Sequence, residues 1–148
     1  MSCNVYFSFD YGRDLHRVNH IRHIDSLHAH AAAGFRDAEQ WQAAICIGET
    51  EVRRMIDAAL IGTKVSVICI GTDTAASSYL EHEIEMSTRR GNTVIAVKIS
   101  QLAGADRLPS PVGAIPSILN RLNIPVYTYK NPESFAVWIE KAARVGCV

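Results

Sequence analysis

The sequence predicts an α/β fold in which helices cover both faces of a central parallel sheet of about four or five strands. Three observations carry that expectation. Val65 to Ile70 is an apolar, largely β-branched run interrupted only by Ser66, the pattern of a strand covered on both faces. Strand-like and helix-like segments alternate along the chain without an internal repeat. The 148 residues, 48% apolar and 20% charged, suit one compact domain, residues 1–148, which can build its core without a disulfide or structural metal.

Taken in order, Val5 to Phe9 is short, apolar and aromatic and stops at Asp10-Tyr11-Gly12, as a buried first strand does. Asp14 to about Leu27 reads as a helix. Its apolar residues Leu15, Val18, Ile21, Ile24 and Leu27 recur at every third position and drift by about 60° per step, as in a helix contacted on several sides or broken near Asp25. Ala29 to Gly48, with its alanine cluster, Gly34-Phe35-Arg36-Asp37 and a short segment around Trp41, reads as a degenerate second strand and a loop. Thr50 offers an N-cap to a helix whose Val52, Met55, Ile56, Ala59 and Leu60 share one face and which Gly62 stops.

After the Val65 to Ile70 strand, Ser77 or Ser78 opens a helix, with Ser78 and Glu81 at capping-box spacing, and Arg89-Arg90-Gly91 closes it. Thr93 to Ile99 is a strand, Ser100 to about Ser117 a Gly/Pro-rich connection, and Ile124 to Tyr129 the last strand. Asn131 caps a final helix that has Pro132 in its first turn and Phe135, Trp138, Ile139 and Ala142 on its buried face. In such a fold the ligand crevice lies beyond the carboxyl ends of the strands, here Asp10 to Asp14, Gly71 to Ser78 and the segment after Ile99.

Composition excludes several functions. Fifteen basic residues balance fifteen acidic ones, so the field that draws nucleic acid or an anionic membrane is missing, and phosphate binding would be local to a few arginines. The longest strongly apolar run, Val65 to Gly71, falls far short of the ~20 residues of a membrane span. The amino-terminal segment reads as a strand rather than a signal peptide. Cys3, Cys46, Cys69 and Cys147 form no C-x-x-C pair, so reduced thiols in a cytoplasmic protein are expected. The phosphate-loop, dinucleotide, G-x-S-x-G and H-E-x-x-H signatures are absent; no second histidine follows His82-Glu83.

Three clusters of residues could carry chemistry. At about 100° per residue, the Ser77 to Arg90 helix places Glu83 some 60° from Leu80, inside the apolar arc, whereas Glu81 and Glu85 point away. An inward carboxylate costs desolvation energy unless it is bonded or paired. It is either a half-exposed partner of Arg90 or of a first-helix arginine, or a catalytic carboxylate at the crevice. Arg13, Asp14, Arg17, Asn19 and Arg22 crowd the end of the first strand, as a solvated helix face or as an anion site made of arginine forks. His16, His20 and His23 share one helical face at a spacing that would bind nickel resin; with no carboxylate or thiol added, no physiological metal site is read there.

Two stretches together resemble the TIR-like proteins of bacterial Thoeris anti-phage defence, the B component. The first is Phe7-Ser8-Phe9-x-Tyr11-x-Arg13-Asp14-x-x-Arg17, continuing to Ile21-Arg22. The second is Leu60-x-Gly62-Thr63-x-Val65, then Ile70-Gly71-x-x-Thr74-x-x-Ser77-x-Tyr79-x-x-x-Glu83-Ile84-x-x-Ser87. The likeness covers about residues 4 to 100, and the rest more loosely. It implies a flavodoxin-like, TIR-like three-layer fold and an enzyme that consumes NAD as substrate, with no cofactor. By the TIR pattern Ser-x-Trp-Cys-x-x-Glu, here Ser77, Tyr79, Leu80 and Glu83, the implied catalytic residue is Glu83. Tyr79 stands for the tryptophan and Leu80 for the cysteine; Asp10 and His16 stand where Thoeris relatives often have histidine and tryptophan.

The substrate-binding residues so implied are Phe9, Asp10, Tyr11, Arg13, Asp14, Arg17, Ser77 and Tyr79. Phe9 and Tyr11 would stack on a ring and Arg13 or Arg17 would hold the pyrophosphate. The resemblance also implies self-association, a phage-derived trigger and a separate effector protein that answers an ADP-ribose-derived signal. Two other readings stay open. One is a non-catalytic TIR-like module that docks similar chains. The other, ranked last, is a phospho-acceptor receiver using Asp10 and Asp73, for which the first strand supplies a single acid where an acidic pair is needed.

Overall fold

The computed structural model describes residues 3–22, 30–32, 38–104 and 106–145. In chain order its elements are β1 (Cys3–Ser8), α1 (Tyr11–Arg22), β2 (His30–Ala32), α2 (Ala38–Ile47), α3 (Glu49–Leu60), β3 (Thr63–Ile70), a 3-10 turn (Thr74–Ala76), α4 (Leu80–Arg89), β4 (Thr93–Lys98), α5 (Ser117–Arg121), β5 (Val126–Thr128) and α6 (Pro132–Val145). The strands form one parallel sheet in the order β2-β1-β3-β4-β5, with β3 at its centre, as its apolar run predicts.

The period-2 alternation of the strands divides the core between the two faces. Val5, Phe7, Val65, Val67, Cys69, Ile95 and Val97 pack against Val18 and Ile21 of α1 and Phe135, Ile139, Ala142 and Ala143 of α6. On the other face Ile68, Ile70, Val94 and Ala96 meet Leu80 and Ile84 of α4 and Ile118 and Leu119 of α5. Tyr6 joins Ala44 of α2 and Val52, Ile56, Ala59 and Leu60 of α3 on that same side. The expected α/β architecture is therefore present, with five strands.

Local details differ from expectation for identifiable reasons. α1 begins at Tyr11, because the Asp10 carbonyl accepts from the amides of Arg13 and Asp14 and the Asp10 carboxylate accepts from Gly12 at 3.0 Å. What reads as a crevice loop is thus a capped first turn. The drifting apolar stripe also resolves: among the described side chains of α1, Asp14, Arg17, Val18 and Ile21 are the buried ones, an ordinary i, i+3, i+4, i+7 face on which two positions are charged. Ala38–Ile47 is a helix rather than a loop; among its described side chains only Ala44 is fully buried, so its periodicity is faint.

Two predicted caps do not form. α3 starts at Glu49 with Gly48 as its cap residue and no side-chain bond, so Thr50 lies inside the helix. α4 starts at Leu80 after Tyr79 with no side-chain cap bond, so the Ser78–Glu81 capping box does not form; a 3-10 turn, Thr74–Ala76, precedes the helix. Thr74 holds that turn: its hydroxyl accepts from Gly71 N at 2.7 Å and donates to Cys69 O at 3.3 Å. The short helix α5 follows the Gly/Pro-rich connection and fills the span before Ile124, for which no element is predicted. By contrast Asn131 caps α6 as expected, accepting from Ser134 N at 2.8 Å. Gly62 and Gly91 take the positive φ of helix stops. The proposed run of the first helix to Leu27, its break near Asp25, the Gly34 to Asp37 segment, His23 and Cys147 lie outside the described residues. Among the described residues no helix is long and apolar enough to cross a membrane.

Candidate functional site

The first turns of α4 bring Glu83 against the sheet. Its backbone amide donates to Tyr79 O at 3.0 Å, and one turn later Ser87 donates to Glu83 O at 2.7 Å. Ser87 also accepts from Ser66 of β3 at 2.8 Å, and Asn92 donates to Ser66 and Thr63. This buried polar network fixes the rotation of α4 on the sheet, and hence the direction of Glu83.

Glu83 is only 6% exposed. Its carboxylate accepts a 2.5 Å bond from the phenol of Tyr6 in β1. Among the described residues no ion pair includes it; Arg13 pairs instead with Asp73 and Arg17 with Asp14. Burial pushes its pKa up to about 7, while hydrogen bonds from Tyr6 and Ser8 pull the other way. A carboxyl group poised near neutrality in a dry site suits proton exchange or the stabilisation of developing positive charge.

An aromatic row leads to this carboxylate. Phe9 stacks on Tyr11 with ring centroids 4.2 Å apart, Tyr11 on Trp41 at 4.7 Å, and Trp41 meets Tyr79 edge-on at 5.9 Å. Phe9 is buried; Tyr11, Trp41 and Tyr79 are half-buried. The row runs from just past the end of β1 through α1 and α2 to the residue one turn before Glu83. Ser77 is exposed beside it, its hydroxyl accepting from Tyr79 N at 3.4 Å.

The charged cluster at the end of β1 divides in two. Arg13 is exposed, pairs with Asp73 at 2.9 Å, and lines a cleft of about 420 Å³ with Gly12, Gly104 and the segment from Asp106 to Pro111. Asp14 and Arg17, expected to face ligand, are both buried, although Arg17 also lines that cleft. Arg17 is 4% exposed and its guanidinium donates to Asp14 Oδ1, Arg13 O, Leu102 O and Leu108 O. It ties the Gly/Pro-rich connection to α1. Asp14 is fully buried, with one oxygen unpartnered, and burial raises its pKa despite Arg17.

Asp10 caps α1, while Asp73 faces Arg13, so each acid of the receiver reading has another partner. His16 and His20 are exposed, and no group of three or more His, Cys, Asp or Glu among the described residues is placed to hold a metal. Tyr6, Ser8 and Trp41 were not expected at the site. Tyr6 and Ser8 stand at i, i+2 on β1, opposite Val5, Phe7 and Phe9, and that alternation is the signal that aims them at the Glu83 face. Trp41 carries no comparable signal.

A five-stranded parallel sheet, with a buried carboxylate on the helix after its central strand and aromatic rings beside it, defines a TIR-like α/β domain. Residues 6–103 match the family described as "Thoeris protein ThsB, TIR-like domain", and the chain belongs to that family. It is 32% identical over 102 residues to a protein of Bacillus cereus (strain MSX-D12) named "Putative cyclic ADP-D-ribose synthase ThsB1". That match covers 68% of this chain and 53% of the relative, so the chain spans about half the length of the protein it resembles.

Proposed function

We propose that this protein cleaves the nicotinamide–ribose bond of NAD and makes an ADP-ribose-derived signal in anti-phage defence. The observation that carries the reading is Glu83: a buried carboxylate without a cationic partner among the described residues, one turn from the half-buried ring of Tyr79. The family and the relative's name support it.

Breaking the bond leaves its electron pair on the nicotinamide nitrogen and an oxocarbenium charge on the ribose, which an ionised Glu83 in a low-dielectric site would stabilise. The aromatic row supplies flat surfaces for the rings, and the exposed Arg13 supplies charge for the pyrophosphate. Where water is excluded, a hydroxyl or base nitrogen of the same molecule captures the cation and loses its proton, giving a cyclic ADP-ribose; where water enters, ADP-ribose forms. NAD is then substrate rather than cofactor. The diffusible product calls for a separate effector, while a phage-derived trigger and self-association of this cytoplasmic chain complete the proposal.

Mass spectrometry of nucleotides from infected cells expressing wild type or Glu83→Gln tests it. An ADP-ribose derivative that appears with wild type and not with the variant supports the reading. Defence that survives Glu83→Gln without any such nucleotide supports the non-catalytic docking module instead.

A further inference from the structure

Glu83 is surrounded by groups that do nothing to keep it charged. The charges of Tyr11 on α1 and Asp57 on α3 act on its partner Tyr6, and the buried thiol of Cys69 on the far face of β3 feels the Glu83 charge through the sheet. His82, its neighbour on α4, is engaged by Asp57 at 3.0 Å. The donors that reach the carboxylate are hydroxyls from β1, Tyr6 at 2.5 Å and, beside it, Ser8.

We propose that Tyr6 is the positioning residue for Glu83: its phenol clamps Oε2 against the sheet and supplies the donor that holds the buried group as an anion. This deepens the NAD-cleaving reading and rests on it for its catalytic meaning. Three features of the contact support it. Tyr6 pairs with Ser66 of β3 and its ring is buried among Ala44, Val52, Ile56, Ala59 and Leu60, so it has little freedom. Its own ionisation is pushed well above the ordinary range by burial and by Glu83, so the phenol remains a donor throughout the pH range in which Glu83 titrates. The contact joins β1 to α4 across 77 residues, so the carboxylate is referenced to the sheet as well as to its own helix.

The test uses the full chain with 13C-labelled glutamate, following carboxyl carbon shifts against pH, with Glu83→Gln identifying the signal. Tyr6→Phe keeps the ring and deletes the donor. A hydrogen bond to a charged acceptor predicts a Glu83 midpoint raised by about one to two pH units. A midpoint within about 0.3 unit of wild type, or a lower one, overturns the proposal at that detection scale. Should Tyr6→Phe not fold, 3-fluorotyrosine placed at position 6 strengthens the donor; the midpoint should then fall, and an unmoved midpoint overturns the proposal. In nicotinamide release, Tyr6→Phe should shift the acid limb of the rate profile upward by the same amount and recover at high pH. If wild type releases no nicotinamide, the NAD-cleaving reading fails while the titration stands; if Glu83→Gln still releases it, the catalytic role of Glu83 fails. If it is inactive and the titration is unmoved, only the role of Tyr6 fails.

Discussion

The Asp14 carboxylate packs so closely on the backbone of Gly71 that a Cβ at Gly71 would overlap Oδ2. The same backbone is closed from the other side, since a Cβ on Gly113 would strike Gly71 O and Thr72 O. The end of β3, the first helix and the Gly/Pro-rich connection therefore meet with no room for a side chain. Gly71→Ala should lower stability by roughly 1–3 kcal/mol, the cost of overpacking a close-packed interior, read from denaturant midpoints. An unchanged midpoint would show that this junction is loose.

Arg13 and Arg17, four residues apart on one helix, should behave oppositely. Arg17→Ala leaves Asp14 buried without its cation and frees the carbonyls of Leu102 and Leu108, so a loss of about 3–5 kcal/mol and new protease cuts within 102–113 are expected. Arg13→Ala breaks an exposed pair, worth about 1 kcal/mol or less, and should instead raise the KM for NAD. Unfolding curves and steady-state kinetics of the two variants separate the roles.

Glu83 makes stability depend on pH. Burial moves its pKa from 4.5 to about 7, so the native state holds this proton more tightly than the unfolded chain. Its contribution is complete below the unfolded value and is lost as pH rises through the folded one. Glu83→Gln removes the ionisation, so its advantage over wild type should grow between pH 5 and 8 to on the order of 3 kcal/mol. Thermal melts across that range check this; a gap independent of pH would contradict it. A gain in stability beside a loss of activity is the expected signature of a strained functional group.

Trp41 stands between Tyr11 and Tyr79, and the other tryptophan, Trp138, stacks on Tyr127. In a Trp138→Phe background the emission of Trp41 should change on addition of NAD, and Trp41→Ala should weaken binding. Emission that is indifferent to saturating NAD would remove the aromatic row from the substrate site.

Much of this arrangement is readable from residue pattern. The strand order of buried and turn segments gives the sheet, and the 100° periodicity of α4 singles out Glu83 because neighbouring apolar positions define its face clearly. Asp14 and Arg17 are hidden from such reading: charged side chains pass for surface, and the carbonyls that satisfy Arg17 lie 85 and 91 residues further along the chain. α2 is hidden because, apart from the half-buried Trp41, its described apolar residues are small or exposed, with Ile47 74% exposed, so no stripe marks its buried side. The bond from Tyr6 joins segments that only the parallel crossover brings together, and no local spacing records it.

Release of nicotinamide from NAD by protein purified from phage-infected cells, wild type against Glu83→Gln at pH 7.5 to 8, above the value of about 7 to which burial raises Glu83, tests the central claim most directly. Wild type should release nicotinamide together with an ADP-ribose product, and the variant should lose at least about 100-fold in rate. A variant that keeps the wild-type rate would contradict the assignment of Glu83 and the mechanism built on it.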